Sequence, residues 1–298
     1  MEPNADDNLE SLNQENIDKE DTSKAAQPRP VVLLLLDSWG IAPKNSGNAF
    51  SGLKLKTFSS LIKNYPVALL TSDKKTIKER YNSLGASGKL TQLLSAANWS
   101  QINIVESEKL LAAWYHLNGG RDQLLAGEEL KVVSSTIGSR QEDFKQQLPE
   151  ITKATLNDIR KNLHDFLIIS LSNLDLISSG GNLKAVQEAI KLLDKNLKKI
   201  ADEVLKKHGL LFIASAYGHA EAMINVATEL PESGITDNPV PFIIVGEKYQ
   251  GLNIGLPDTF GSDLSLVEPI GTLADIVPTI LKILEIAAPD NLPGKSLI

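Results

Sequence analysis

The sequence contains no cysteine. That excludes disulfides, thiolate metal sites and cysteine nucleophiles, and is compatible with any compartment. Histidine is scarce: His116, His164, His208 and His219 are the whole supply. Long apolar runs are missing too. The run Val31–Leu36 has six residues, far short of the ~20 that a membrane-crossing helix requires. There is no excess of positive charge, the net being −7, which argues against nucleic acid or an anionic membrane as the main partner. Walker loop, dinucleotide glycine fingerprint, zinc-ligand spacing and Ser-His-Asp order are all absent.

What is present suffices for a large folded unit. The chain has 298 residues, of which 42% are hydrophobic, enough for one large domain or two ordinary ones. Residues 1–29 stand apart from the rest. Residues 1–30 hold eight acids against three bases, a net of −5 that leaves −2 for the remainder. Rich in Asn, Gln, Asp and Glu and without aromatics, this stretch reads as a disordered, solvating acidic tail. It has neither the basic start nor the apolar core of a secretory leader. With no leader, membrane segment or cysteine, the cytoplasm is the default location.

From residue 30 to 298, short apolar runs alternate with amphipathic stretches. The runs Val31–Leu36, Val67–Leu70, Ile102–Val105, Lys131–Val133, Phe166–Leu171, Leu210–Ala214 and Phe242–Val245 predict strands, most of them buried on both faces. Leu183–Lys207 carries apolar residues at helical spacing and is followed by Gly209. Leu273–Leu284 is a second helix. Thr71–Ser87 and Thr136–Pro149 read as irregular loops. The alternation predicts an α/β domain with a mostly parallel central sheet sandwiched by helices.

In such a sheet, ligands bind outside the carboxyl ends of the strands. Asp37 ends the first strand, where an acid serves either as a divalent-metal ligand or as a cap for the following turn. Asp175 follows the strand Phe166–Leu171, and two such acids could hold one Mg²⁺ or Mn²⁺ with several waters. Lys109 follows a third strand. Its ammonium could bind phosphate as a point charge, although a surface lysine is the plainer reading. His164 and His208 read as solvent-facing, and His219 is the one histidine at a site edge. The stretch Phe212–Met223 has the shape of a metal site, a strand, a glycine turn and a helix-like exit, without the ligands.

In this order, these pieces resemble the phosphatase domain of 2,3-bisphosphoglycerate-independent phosphoglycerate mutase, of the alkaline phosphatase superfamily. Asp37-Ser38-Trp39-Gly40 is similar to the family's Asp-Gly-Trp-Gly, and Gly47-Asn48-Ala49 to its Gly-Asn-Ala. Glu106-Ser107-Glu108-Lys109 with Asn118-Gly119-Gly120 resembles Glu-Thr-Glu-Lys with Asn-Gly-Gly. Asn238–Phe242, Leu273–Thr279 and Gly294–Ile298 are close to verbatim.

The resemblance implies an alkaline-phosphatase-like fold and specific losses. Asp37 and Asp175 stand at remnant metal-ligand positions and Lys109 at a remnant phosphate-binding position. Ala216 and Tyr217 stand where the family has an Asp-His pair, and Ser179 and Ile235 where it has histidines. The segment of the nucleophilic serine has no counterpart, and Ser72, Ser83 and Ser87 lack its context. Only Leu70–Ser87 lies where the family carries a transferase domain. The expectation is a pseudoenzyme with no cofactor, Mn²⁺ or Mg²⁺ being the ion if one binds. Its partner is expected to be an unidentified protein or an anionic metabolite. The alternative is a residual metal-dependent phosphomonoester hydrolase or glycolytic mutase-like isomerase, with Ser215, Tyr217 or His219 in a rebuilt site.

Overall fold

A computed structural model describes residues 27–72, 74, 76–134, 140–171, 174–178, 180–232, 234–254 and 263–298, with the side chains of 140–144, 146, 175 and 176 excepted. The expected tail, up to residue 26, lies outside the described residues. Eight strands form one sheet: β1 Val31–Leu35, β2 Val67–Thr71, β3 Gln101–Glu106, β4 Glu128–Val133, β5 Phe166–Ser170, β6 Leu210–Ala214, β7 Val240–Val245 and β8 Gly271–Thr272. Their order is β4-β3-β5-β1-β6-β7-β2-β8. Neighbours pair in parallel except that β7 runs antiparallel to both β6 and β2.

The strand sequences explain the layering. Successive side chains in a strand point to opposite faces. In β1, Val32 and Leu34 enter one core while Val31, Leu33 and Leu35 enter the other. In β6, Leu211 and Ile213 face the first core, and Leu210, Phe212 and Ala214 the second. Both faces are thus covered, which requires continuous apolar runs rather than alternation.

The first core is closed by α1 Lys56–Asn64, α4 Arg140–Lys161 and α6 Leu183–Lys206, with the short α5 Leu174–Ser178 at its edge. The second is closed by α2 Ile77–Leu84, α3 Lys89–Ala96 and α7 Ile276–Ile283. Asp194 of α6 accepts from the Thr57 and Phe58 amides at 3.1 and 2.8 Å, so it caps α1 from a neighbouring helix and ties the two together. Among the described residues no helix is long and apolar enough to cross a membrane.

Two expected loops are helical. Within Thr71–Ser87, Thr76 and Glu79 form a reciprocal capping box that starts α2. Its buried face is only Arg80, Tyr81 and Leu84, too sparse to register as an amphipathic stripe. Within Thr136–Pro149, residues from 140 onward belong to α4, and Pro149 sits inside that helix. Pro149 is exposed, and the buried stripe of Leu148, Ile151, Thr155 and Ile159 runs on past it against the first core.

Candidate functional site

Strands β3, β5, β1 and β6 are adjacent and parallel, so their carboxyl ends open on one edge. That edge receives Lys109 after β3, Asp175 after β5, Asp37 after β1 and Ala216-Tyr217 after β6. Asp37, Ala216 and Tyr217 are fully buried, and Lys109 is only 6% exposed. Lys109 is thus not the surface lysine of the plainer reading.

The Lys109 ammonium donates to the Tyr217 phenol oxygen at 2.8 Å and lies 5.5 Å from that ring's centroid. The Asp37 carboxylate accepts through Oδ2 from the Tyr81 hydroxyl and through Oδ1 from the Ala216 amide at 3.4 Å. Tyr81 is delivered by α2 and is fully buried. The Asp37 carboxylate is thus engaged by a phenol and a backbone amide, while the Lys109 ammonium meets the second phenol. In sequence terms Tyr81 was invisible, because α2 was read as a loop. The Thr76-x-x-Glu79 capping signature could have revealed that helix.

Around this group the loops are tied by Glu221. It follows the β6 turn on a single 3₁₀ turn, Ala220–Ala222, at the helix-like exit that the sequence suggests. Its buried side chain accepts from the Gly40 amide at 3.2 Å, from the Thr236 hydroxyl, and from Asn238 Nδ2 at 3.0 Å. The loops after β1 and β6 and the segment before β7 thus share one anchor. Glu221 also explains two glycines: a Cβ on Gly40 or Gly218 would lie 2.3 Å from its carboxyl group.

His219 uses both ring nitrogens. Nε2 lies 3.1 Å from the Glu232 carbonyl, which can only accept, and Nδ1 lies 2.9 Å from the Ser178 hydroxyl. In the neutral ring, Nε2 then carries the proton and Nδ1 accepts from Ser178. Ser215 likewise donates its hydroxyl to the Tyr217 carbonyl at 2.7 Å. Both residues are committed to holding the turn.

Asp175 falls in α5, with its side chain outside the description, and Ser179 lies outside the described residues. Ile235 is partly buried against the second core. His164 departs from its solvent-facing reading. With its side chain 9% exposed, it sits between Asp158 at 2.7 Å and Glu129 at 3.5 Å, pinned where α4 ends against β4. His208 is exposed beside Glu247, 3.0 Å away.

Among the described residues, the chemistry of the donors does not fit a divalent cation. Mg²⁺ requires about six oxygens at about 2.1 Å, in near-octahedral array. Both Asp37 oxygens accept protein donors, and the Tyr217 oxygen already faces an ammonium. Among the described residues, no three or more His, Asp or Glu side chains gather as a metal site.

The sequence model of the metalloenzyme superfamily matches residues 29–288. A 2,3-bisphosphoglycerate-independent phosphoglycerate mutase from Chloroflexus aggregans is 32% identical over 212 residues, covering 70% of this chain and 37% of the relative. The chain thus aligns with well under half the length of that curated relative. Among solved structures, a phosphoglycerate mutase of Leishmania mexicana, solved at low cobalt concentration, superposes with a TM-score of 0.56 at 22% identity. The superposition covers 68% of this chain and 38% of that one. The alkaline phosphatase of the Antarctic bacterium TAB5 gives 0.59 at 11% identity, covering 88% of this chain and all of its own. Both likenesses establish the alkaline-phosphatase-like fold.

Proposed function

This chain belongs to the metalloenzyme superfamily, and from that premise we propose that it is a non-catalytic member, a retained α/β scaffold that serves as a binding or interaction module. The observation that carries this reading is the Lys109 ammonium held 2.8 Å from the Tyr217 phenol. A fixed cation of the protein's own lies beside the strand ends where its relatives' chemistry would lie. The family resemblance puts a lysine at this position in catalytic relatives as well, so what sets this site apart is Tyr217, which stands at a metal-ligand position and has its oxygen engaged by that ammonium. The Tyr81 hydroxyl on Asp37 acts in the same sense by committing an oxygen.

The short link between β2 and α3 supports the same conclusion. The mutase relatives' length not matched by this chain would have to supply any glycerate-handling domain. Here residues 76–84 instead form a capped helix. That helix sends Tyr81 to Asp37, and Arg80 to Asp237 at 2.5 Å and to the Thr236 carbonyl at 2.7 Å. The partner in this reading is a protein or an anionic metabolite, and nucleic acid and membranes are not expected.

The test is metal content after purification of the full chain in Mn²⁺ or Mg²⁺, with turnover of a phosphate monoester and of 3-phosphoglycerate. Substoichiometric metal, unchanged by Asp37→Ala, and no turnover are expected. Stoichiometric metal lost in Asp37→Ala would overturn the proposal, as would turnover that follows metal and disappears in Asp175→Ala.

A further inference from the structure

Strand β4 closes one side of the sheet. Among the described residues it pairs with β3 alone. Alternate residues of a strand turn N–H and C=O away from such a neighbour, so the outer side of β4 offers a row of open hydrogen-bonding groups. The opposite edge strand, β8, has two residues against six in β4. Inner strands such as β1 and β5 are buried at every residue, whereas Glu129, Lys131 and Val132 of β4 are exposed.

A cationic cleft of about 690 Å³ flanks this edge. Lys131 of β4, Lys153, Arg160 and Lys161 of α4, and Lys199 of α6 line it, and Glu150 is the one acid in its lining. All five cations are exposed. Arg160 is partly engaged by Glu203 at 2.9 Å and Lys199 by the Asn196 amide oxygen at 3.3 Å. Among the described residues no carboxylate pairs with Lys131, Lys153 or Lys161.

We propose that this edge receives an extended acidic segment of a partner protein, which adds to the sheet beside β4 and sets its carboxylates over the cleft. The open row of main-chain groups calls for a polypeptide, because an extended chain presents its own N–H and C=O groups at the matching spacing. Five cations against one acid call for negative charge. A phosphate-bearing ligand would meet the cations and leave the edge unpaired. Protection of the edge is the rival explanation, since a lysine on an edge strand discourages pairing. It accounts for Lys131. It does not account for the cations of α4 and α6, which lie off the strand.

The strand also sets the partner's pattern. Val133 packs against the first core and Leu130 against the second. Successive side chains take opposite faces, so Lys131 lies on the α4 side with Val133, and Val132, 40% exposed, lies on the other. An added strand alternates in the same way. The partner therefore carries Asp or Glu at every second position, over the cleft, and apolar residues between them, beside Val132. Glu129 shares the Lys131 side and is the countervailing charge, 3.5 Å from His164. The six residues of β4 span about 20 Å. Exposed ion pairs are individually weak, so the main-chain ladder gives the register and the charges give the selectivity. This face is lateral to the strand-end site, and the inference does not rest on that site being non-catalytic.

The test is binding of a fluorescent peptide of about seven residues, alternating Val and Glu, to the full chain, followed by anisotropy at about 50 mM salt. Binding should slow hydrogen exchange of alternate amides within residues 129–133 at least about three-fold. A peptide of the same composition with its glutamates in one block should bind about ten-fold more weakly. Two further peptides are N-methylated at every second residue, one in each phase. Only alternate N–H groups face β4, so one phase should bind about ten-fold more weakly than the other at identical charge. The variant Lys153→Glu/Lys161→Glu/Lys199→Glu, with an unchanged melting temperature, should also lose about ten-fold. No binding at about 1 mM peptide, equal affinity of the two methylated phases, equal affinity of the block peptide, or equal affinity of the variant would each overturn the proposal. So would outer β4 amides already protected in the free chain, which would mean that the edge is covered by this chain or a second copy.

Discussion

Lys109, at the end of β3, sets its ammonium 2.8 Å from the phenol oxygen of Tyr217, at the end of β6. The two are 108 positions apart in sequence, and both are buried. Two strands, β5 and β1, lie between theirs in the sheet, so the contact spans the strand-end edge. A buried ammonium is stable only when its charge is met by well-placed polar groups. Removing the charge while keeping the stem leaves those groups without it.

Lys109→Met should accordingly cost about 3 kcal/mol, within the range for breaking a buried charged contact. At roughly 2–4 °C per kcal/mol for a domain of this size, thermal unfolding should fall by about 6–12 °C. Tyr217→Phe strips one acceptor from that buried ammonium and should cost less, about 2 kcal/mol, as for a hydrogen bond to a charged group. Differential scanning calorimetry of both variants checks the order. A Lys109→Met variant as stable as wild type would mean that the ammonium does not hold the site together.

The Tyr81 hydroxyl and Asp37 carboxylate form the second internal contact of the site. Tyr81→Phe should cost about 1–3 kcal/mol, because it strips a donor from a buried carboxylate. Asp37→Asn alone should also destabilise. The double variant should lose less than the sum of the two, with a coupling of at least about 1 kcal/mol. Urea unfolding of the four proteins gives this cycle. Additive losses would show that the contact contributes nothing of its own.

The sequence revealed the frame of this site better than its filling, for a physical reason. Strands such as Val31–Leu35 and Phe166–Ser170 are buried on both faces, so they appear as unbroken apolar runs, and an acid ending such a run stands out. Asp37 was legible in that way. The reversal of β7 was not, since an antiparallel strand buried on both faces has the same composition as a parallel one. Lys109 and Tyr81 gave no local signal of burial. Their polar ends are accommodated by partners far away in sequence, which only the sheet order brings close.

His116 supplies a pH dependence. It is half-buried, and its Nδ1 has no hydrogen-bond partner among the described residues. Burial, and secondarily the charge of Lys78, lower its pKa below the ordinary 6.5. Between the folded and unfolded values, the unfolded chain binds more protons, so stability rises with pH across that window. The contribution is fully present above about 6.5 and is lost progressively as the pH falls toward the lowered folded-state value. The drop in melting temperature from about pH 7 to about pH 5 should therefore be smaller in His116→Gln than in wild type. Parallel melting curves for the two proteins would contradict this, whatever the carboxylates contribute to both.

Ser38 should be improvable, and the reason is local. It sits between Asp37 and Trp39 with φ +66°, in the left-handed region that costs a non-glycine residue about 1–2 kcal/mol. Its hydroxyl is buried, with no hydrogen-bond partner among the described residues, a further cost of about 1–3 kcal/mol. Its backbone is bridged to Gly218 and its carbonyl accepts the Ala220 amide at 3.1 Å, so the surrounding turn fixes the conformation without help from the side chain. Ser38→Gly relieves both costs. Against this stand the greater freedom of glycine in the unfolded chain, about 0.5–1 kcal/mol, and a small void where the hydroxymethyl group was. The balance should favour glycine by about 1 kcal/mol, a rise of roughly 2–4 °C in melting temperature. Because Asp37 is the next residue, the same variant should leave the Tyr81 contact intact, which the Tyr81→Phe substitution reports: its cost should be the same in both backgrounds. A Ser38→Gly protein that melts below wild type would show that the hydroxyl has a partner worth more than the strain.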